Sequence, residues 1–177
     1  LKKEDKYSQL SPKEGIRKHG ERAIAALMKE YTQLDDRDVF EPQHVKNLTK
    51  DNKKQALNLI SMIQEKRNGK LKGRACADGR KQRLYIPKED AASPTVQLES
   101  LLLSLVIDCH EGRKIATGDV GGAYLIALMD DYVLVRVHSE VVGLMCKVNP
   151  KYEEFVTVEN GKKVVYMKLH KALYGCM

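Results

Sequence analysis

The chain has no tryptophan and only two phenylalanines in 177 residues, so any core it builds must be aliphatic. Long apolar runs are also missing. The longest, Leu101 to Ile107, is broken by Ser104 and falls well short of the roughly 18 residues that span a bilayer, which excludes an ordinary helical membrane protein. Leu1 to Lys6 carries no apolar signal-peptide core and the first residue is not methionine, so the numbering is expected to begin inside a longer polypeptide. The four cysteines, Cys76, Cys109, Cys146 and Cys176, stand 33, 37 and 30 positions apart, with no Cys-x-x-Cys pair and no histidine at zinc-finger spacing. That pattern argues against structural zinc and for free thiols in a reducing compartment. Gly118, Gly121 and Gly122 do not form Gly-x-Gly-x-x-Gly, and no Gly-x-Ser-x-Gly occurs, which sets aside a dinucleotide fold and a hydrolase elbow. Internal repeats and low-complexity tracts are absent as well.

What is present begins with charge. Between Lys66 and Arg83 the chain carries Lys66, Arg67, Lys70, Lys72, Arg74, Arg80, Lys81 and Arg83 against Asp78 alone; eight minus one equals the net charge of +7 of the whole chain. Such a run is either a solvated face or a phosphate-contacting surface whose affinity falls with salt as counterions are released.

Several elements are legible. Ser11-Pro12-Lys13-Glu14 combines a serine cap, a proline in the first turn and a glutamate three positions after the cap. Ile16, Ala23, Leu27, Tyr31 and Leu34 then recur at helical spacing and predict one amphipathic helix to about Leu34, weakened at Gly20. Glu41-Pro42 reads as loop. A second helix is expected from near Thr49, with Ala56, Leu57 and Ile60 on one face. Asn68-Gly69 predicts a hairpin turn between strands over 62–67 and 70–76, a basic ribbon standing out from the body. Ser93-Pro94 predicts a third helix ending at Gly112, whose stripe of Leu98, Leu101, Leu102, Leu105, Val106 and Cys109 is expected to pack on a sheet. Further strands are expected over 114–120, 133–137 and 164–169, the last paired with 155–158 through Asn160-Gly161. The mixture is α+β.

The run Ile115 to Leu125 holds Asp119 at the mouth of an expected strand, followed by Gly121, Gly122, Ala123 and Tyr124. A carboxylate there suits Mg²⁺, which takes oxygen ligands and needs only one or two from protein carboxylates. The glycines let a substrate approach the backbone closely, and Tyr124 can wall one side. Phosphoryl transfer is the chemistry to which these residues point.

Asp119-Val-Gly-Gly-Ala-Tyr124 resembles the first catalytic motif of reverse transcriptases, an Asp, three variable residues, Ala and an aromatic residue. Its flanks, Ala91-Ala92-Ser93-Pro94-Thr95 upstream and Lys171-Ala172-Leu173-Tyr174-Gly175 downstream, are similar in order and spacing to the Ty1/copia class of retrotransposon polymerase. The likeness runs from about residue 60 to Met177. It departs where Leu125-Ile126-Ala127 replaces Leu-Asn-Gly and where Cys176-Met177 replaces a Lys-Gln pair, and the family's later Asp-Asp pair is not in the chain.

The resemblance implies an incomplete right-hand polymerase fold, with a fingers β-hairpin and a partial antiparallel palm sheet packed on helices. Residues 1–60 would be a helical extension packed on the fingers. Residues 61–177 would be the fingers and first part of the palm, truncated before the Asp-Asp motif. The implied function is that of a fragment of an RNA-directed DNA polymerase, a magnesium-dependent nucleotidyltransferase of a transposable element. Two Mg²⁺ or Mn²⁺ ions would serve the complete enzyme, with Asp119 and the Val120 carbonyl among their ligands. Tyr124 would lie against the sugar of the incoming nucleotide, or else be a core tyrosine under the strand. Lys72 and Arg74 would grip the triphosphate, and Arg67, Lys70, Arg80, Lys81 and Arg83 would meet nucleic-acid phosphates. The implied partners are an RNA or DNA template-primer, deoxynucleoside triphosphates and the rest of a polyprotein, with no membrane, in the cytoplasm or within virus-like particles. One carboxylate cannot hold two divalent ions against water, so the isolated chain is expected to be inactive. The alternative is a non-catalytic nucleic-acid-binding module or a decayed element remnant.

Overall fold

The computed structural model describes residues 9–87 and 95–176. Strand β1 (Gln9–Leu10) leads into helix α1 (Pro12–His19), whose start is the expected capping box. Ser11 Oγ donates to Glu14 Oε2 at 2.7 Å and accepts from the Glu14 N–H. The bond to Ser11 holds the Glu14 carboxyl below its usual range. The single helix expected to Leu34 is instead two. Gly20 takes φ +55°, a backbone conformation side chains rarely adopt, and turns the chain before helix α2 (Glu21–Asp36). In α2 the predicted stripe holds: Ala23, Leu27, Tyr31 and Leu34 are all buried. Tyr31 donates to Ser61 Oγ at 2.8 Å, and burial pushes its hydroxyl up to about 12.

Glu41-Pro42 is not loop but part of strand β2 (Phe40–Gln43), which pairs antiparallel with the end of the chain, Phe40 opposite Leu169. Proline is tolerated at a sheet edge, where no ladder N–H is needed on the open side. The second helix, α3 (Lys50–Gln55), stops before the residues assigned to its face, and Ala56 is its cap. Leu57 and Ile60 lie in strand β3 (Leu57–Glu65), where burial alternates with period two. Six residues of helix cannot offset this alternating β-branched and aliphatic run, which packs better as a strand.

Strand β4 (Leu71–Ala77) completes the predicted hairpin around Gly69 at φ +72°. It does not stand out as a free ribbon. Leu59, Ile63, Ala75 and Ala77 belong to the main core, and α2 lies against β4 so closely that a Cβ at Gly73 would meet the Ala26 carbonyl oxygen at 2.5 Å. A 3-10 turn, Gly79–Leu84, follows.

Helix α4 (Leu98–His110) ends before Gly112 as expected, but none of its residues is buried. Leu98, Leu102, Leu103 and Val106 each expose more than half their surface. The sheet packing expected of its stripe is therefore not formed. Its apolar residues lie on nearly every side, so no single face offers the asymmetry that docks a helix. The Ser93-Pro94 start lies outside the described residues. The strand expected over 114–120 is also absent: the segment is irregular and exposed throughout.

Strand β5 (Leu134–His138), helix α5 (Glu140–Val148), strand β6 (Thr157–Glu159) and strand β7 (Lys162–Leu169) finish the fold. β6 and β7 join through Asn160-Gly161 as predicted, while Phe155 belongs to a 3-10 turn instead. The seven strands form one mixed sheet in the order β1-β3-β5-β7-β2, with β4 beside β3 and β6 beside β7. β3 and β5 run parallel; the other pairs are antiparallel. The helices α1, α2 and α5 cover one face, and a small cluster of Ala56, Leu134, Val164 and Tyr166 lies apart from that core. The fold is thus α+β. No helix among the described residues is long and apolar enough to cross a membrane.

Candidate functional site

The alternation of β4 sets the site's electrostatics. Gly73, Ala75 and Ala77 are buried while Lys72 and Arg74 are exposed, so the two cations share the outer face of the strand. Arg74 Nε donates to Gln64 Oε1 at 3.3 Å across the hairpin. From α2, Glu30 Oε1 accepts the Ala75 N–H at 3.2 Å, satisfying a donor on the edge of β4 that faces the helix. Burial pushes the Glu30 carboxyl up; the Ala75 bond and the charges of Lys72 and Arg74 pull against that rise.

Opposite them comes the motif loop. Gly122 takes φ +69°, and the carbonyls of Gly122 and Gly121 accept from Arg37 Nη1 at 3.0 Å and Arg37 Nη2 at 3.2 Å. The Arg37 carbonyl in turn accepts from Lys171 Nζ. The run from Lys171 to Gly175 is stitched to both sides. The Ala172 N–H donates to the Ala127 carbonyl at 2.9 Å, and the Ala77 N–H donates to the Tyr174 carbonyl at 2.7 Å. The rings of Tyr124 and Tyr174 meet with centroids 4.9 Å apart.

These contacts enclose a cleft of about 230 Å³ whose lining includes Glu30, Lys72, Arg74, Gly122 and Tyr174. Three stretches far apart in sequence therefore converge: the basic hairpin, the glycines after Asp119, and the Leu-Tyr-Gly turn. Chemically, the two cations on one wall, with backbone loops opposite, can hold a multiply charged anion in one orientation, while the Glu30 carboxylate in the same lining opposes it when ionised.

The predicted site residues are only partly gathered. Lys72 and Arg74 line the cleft. Tyr124 lies at its rim on Tyr174 and is 53% exposed, so it is not a core tyrosine; Leu125 fills the buried position beside it. Asp119 and Val120 sit on the exposed segment leading to Gly122, and neither is part of the cleft wall. Arg67 and Lys70 are at the hairpin tip, with Arg67 bordering an open hollow beside Gln64 and Asn68. Arg80, Lys81 and Arg83 lie beyond the other end of β4, roughly 20 Å away along the strand. Arg80 is paired with Asp78 at 2.6 Å, and Lys81 Nζ donates to the carbonyls of Lys54 and Ala56, both at 2.8 Å; Arg83 is exposed. The five nucleic-acid candidates do not form one surface.

Among the described residues no group of three His, Cys, Asp or Glu side chains could hold a metal ion. The donors present beside Asp119 do not fit a pair of Mg²⁺ or Mn²⁺ ions, and no step through such ions follows from this chain.

Sequence reading missed Glu30 and Arg37. The signal was there: Glu30 and Gln33 of α2 and Arg37, which caps it, recur at spacings of three and four, a polar row beside the apolar stripe. Comparison with family models, with curated proteins and with solved structures finds no match to this chain.

Proposed function

We propose that the chain is the fingers and first part of the palm of a Ty1/copia-like RNA-directed DNA polymerase, and that it supplies the triphosphate-docking half of that enzyme's site. The observation that carries this reading is the convergence of Lys72 and Arg74 with Gly122 and Tyr174 around one cleft. Gly122 and Tyr174 come from two of the stretches that bear the family resemblance, and Lys72 and Arg74 from the basic hairpin that the resemblance would make the fingers. Arg74 grips phosphate oxygens as a fork and Lys72 acts as a point charge. Tyr124, held at the rim by Tyr174, meets the sugar and disfavours a 2′-hydroxyl. Arg37 positions the loop that carries Tyr124.

The test is equilibrium binding of a fluorescent deoxynucleoside triphosphate to the chain. Lys72→Ala with Arg74→Ala should weaken it by about a hundredfold, two charge-assisted contacts at roughly 1.5 kcal/mol each. Binding unchanged by the pair overturns the reading. Primer extension by the isolated chain with Mg²⁺ or Mn²⁺ should be nil. In the complete enzyme, Tyr124→Ala should raise ribonucleotide incorporation. A second reading, a non-catalytic nucleic-acid-binding module, is favoured by the position of Asp119 outside the cleft wall. It predicts oligonucleotide binding without triphosphate selectivity.

A further inference from the structure

Helix α4 keeps its shape with no buried residue. An isolated helix of this length is only marginally stable in water, and one so rich in apolar residues is ordinarily covered. Its own chain supplies little cover: Leu98, Leu101, Leu102 and Val106 are 64%, 45%, 53% and 66% exposed, Leu105 is half-buried and Cys109 is exposed. Docking on a sheet takes a broad apolar face, whereas the seam between two helices is narrower. α4 carries such a seam. Leu98, Leu101, Leu102, Leu105, Val106 and Cys109 follow one another at intervals of three, one, three, one and three, an order that reads the same from either end. A second α4 running in the opposite direction therefore sets Leu98 against Cys109, Leu101 against Val106 and Leu102 against Leu105, each contact made twice.

Charge agrees with that direction. Asp108 and Glu111 are both held by Arg113 of the same copy, the first at 3.2 Å. Glu99 and His110 have no ion-pair partner among the described residues. They stand three helical turns and about 20° apart, so both lie on one flank of the seam, at its opposite ends. Antiparallel pairing brings Glu99 of each copy towards His110 of the other; parallel pairing would set like against like.

We infer that α4 pairs with α4 of a second copy of this chain, antiparallel about a two-fold axis. A reversible seam and charges matched end to end are what such a contact demands, and an unrelated partner demands neither. The seam is short, so the surface it buries falls below about 1,200 Å², the range of weak and reversible contacts. At high dilution the chain is a monomer with α4 exposed. The inference does not rest on the polymerase reading, since it uses none of the cleft residues.

The test is sedimentation equilibrium of the chain across the micromolar range, where a reversible monomer–dimer equilibrium is expected. Leu102→Glu should weaken it about a hundredfold, because each copy would bury an unpaired carboxylate, while the melting of the dilute monomer stays unchanged. Glu99→Lys and His110→Glu should each weaken it about fivefold, two exposed pairs being lost, and the two together should restore it. Rescue must act between copies, since the positions are too far apart to meet within one helix. Leu98→Cys, oxidised with glutathione disulfide, should link to Cys109 of the second copy, and adding Cys109→Ser should abolish the link. A chain that stays monomeric throughout, a dimer indifferent to Leu102→Glu, or a Cys109-to-Cys109 link in the wild type would each overturn the inference.

Discussion

Helices α2 and α4 are both rich in apolar residues, and they have opposite fates. In α2 the apolar residues fall on one stripe, that stripe meets β4, and Leu27 and Ala23 are completely buried. In α4, Leu101, Leu102, Leu103, Val106 and Ile107 point to several sides and all remain exposed. Apolar content alone does not bury a helix; it takes asymmetry and a complementary surface. Gly73 shows how close that complementarity is in α2, since no side chain fits between strand and helix there.

The sharpest way to break this contrast is a matched pair of substitutions. Leu27→Ala should cost about 3 kcal/mol in urea unfolding, whereas Leu102→Ala should cost under about 0.5 kcal/mol; equal costs would show that α4 is packed in solution. Gly73→Ala comes next. Its Cβ would meet backbone that cannot swing aside, so a loss of about 2 kcal/mol is expected, read from the same unfolding curves. Arg37→Ala should act locally. Hydrogen exchange at Leu125 and Ile126, whose N–H groups close the turn after Gly122, should speed up while amides in β3 keep their protection.

The smallest effect is a pH dependence at Glu30. Its carboxyl is raised in the folded chain, so the unfolded chain releases this proton first, near 4.5, and stability falls as pH rises from there through the folded value. Glu30→Gln keeps an acceptor for the Ala75 N–H and removes the titration. The variant should therefore gain melting temperature relative to wild type at neutral pH and show no such gain at pH below the window. A constant difference across pH would contradict the assignment.

Local signals were readable in the sequence where they are self-contained. The Ser11 capping box, the turns at Asn68-Gly69 and Asn160-Gly161, and the Ala23 to Leu34 stripe all need only neighbouring residues. What escaped depends on distant partners. Phe40 to Gln43 is a strand only because β7 supplies a ladder, and Leu57 to Ile60 left the helix for a strand because β4 and β5 flank it. At the site, Lys72 and Arg74 were legible as charge, but their neighbour Glu30 was hidden in a helix read only for its apolar face. Asp119 was legible as a motif, yet the strand expected to present it is not formed.

The sheet order also dictates when the molecule can take shape. Phe40 pairs with Leu169, and the parallel contact of Leu57 with Val135 bridges most of the middle of the chain. During synthesis β2 must therefore wait, its edge unsatisfied, until β7 emerges from the ribosome, and the start of β3 must wait for β5. Such non-local wiring makes maturation slow and leaves the nascent chain dependent on protection from aggregation.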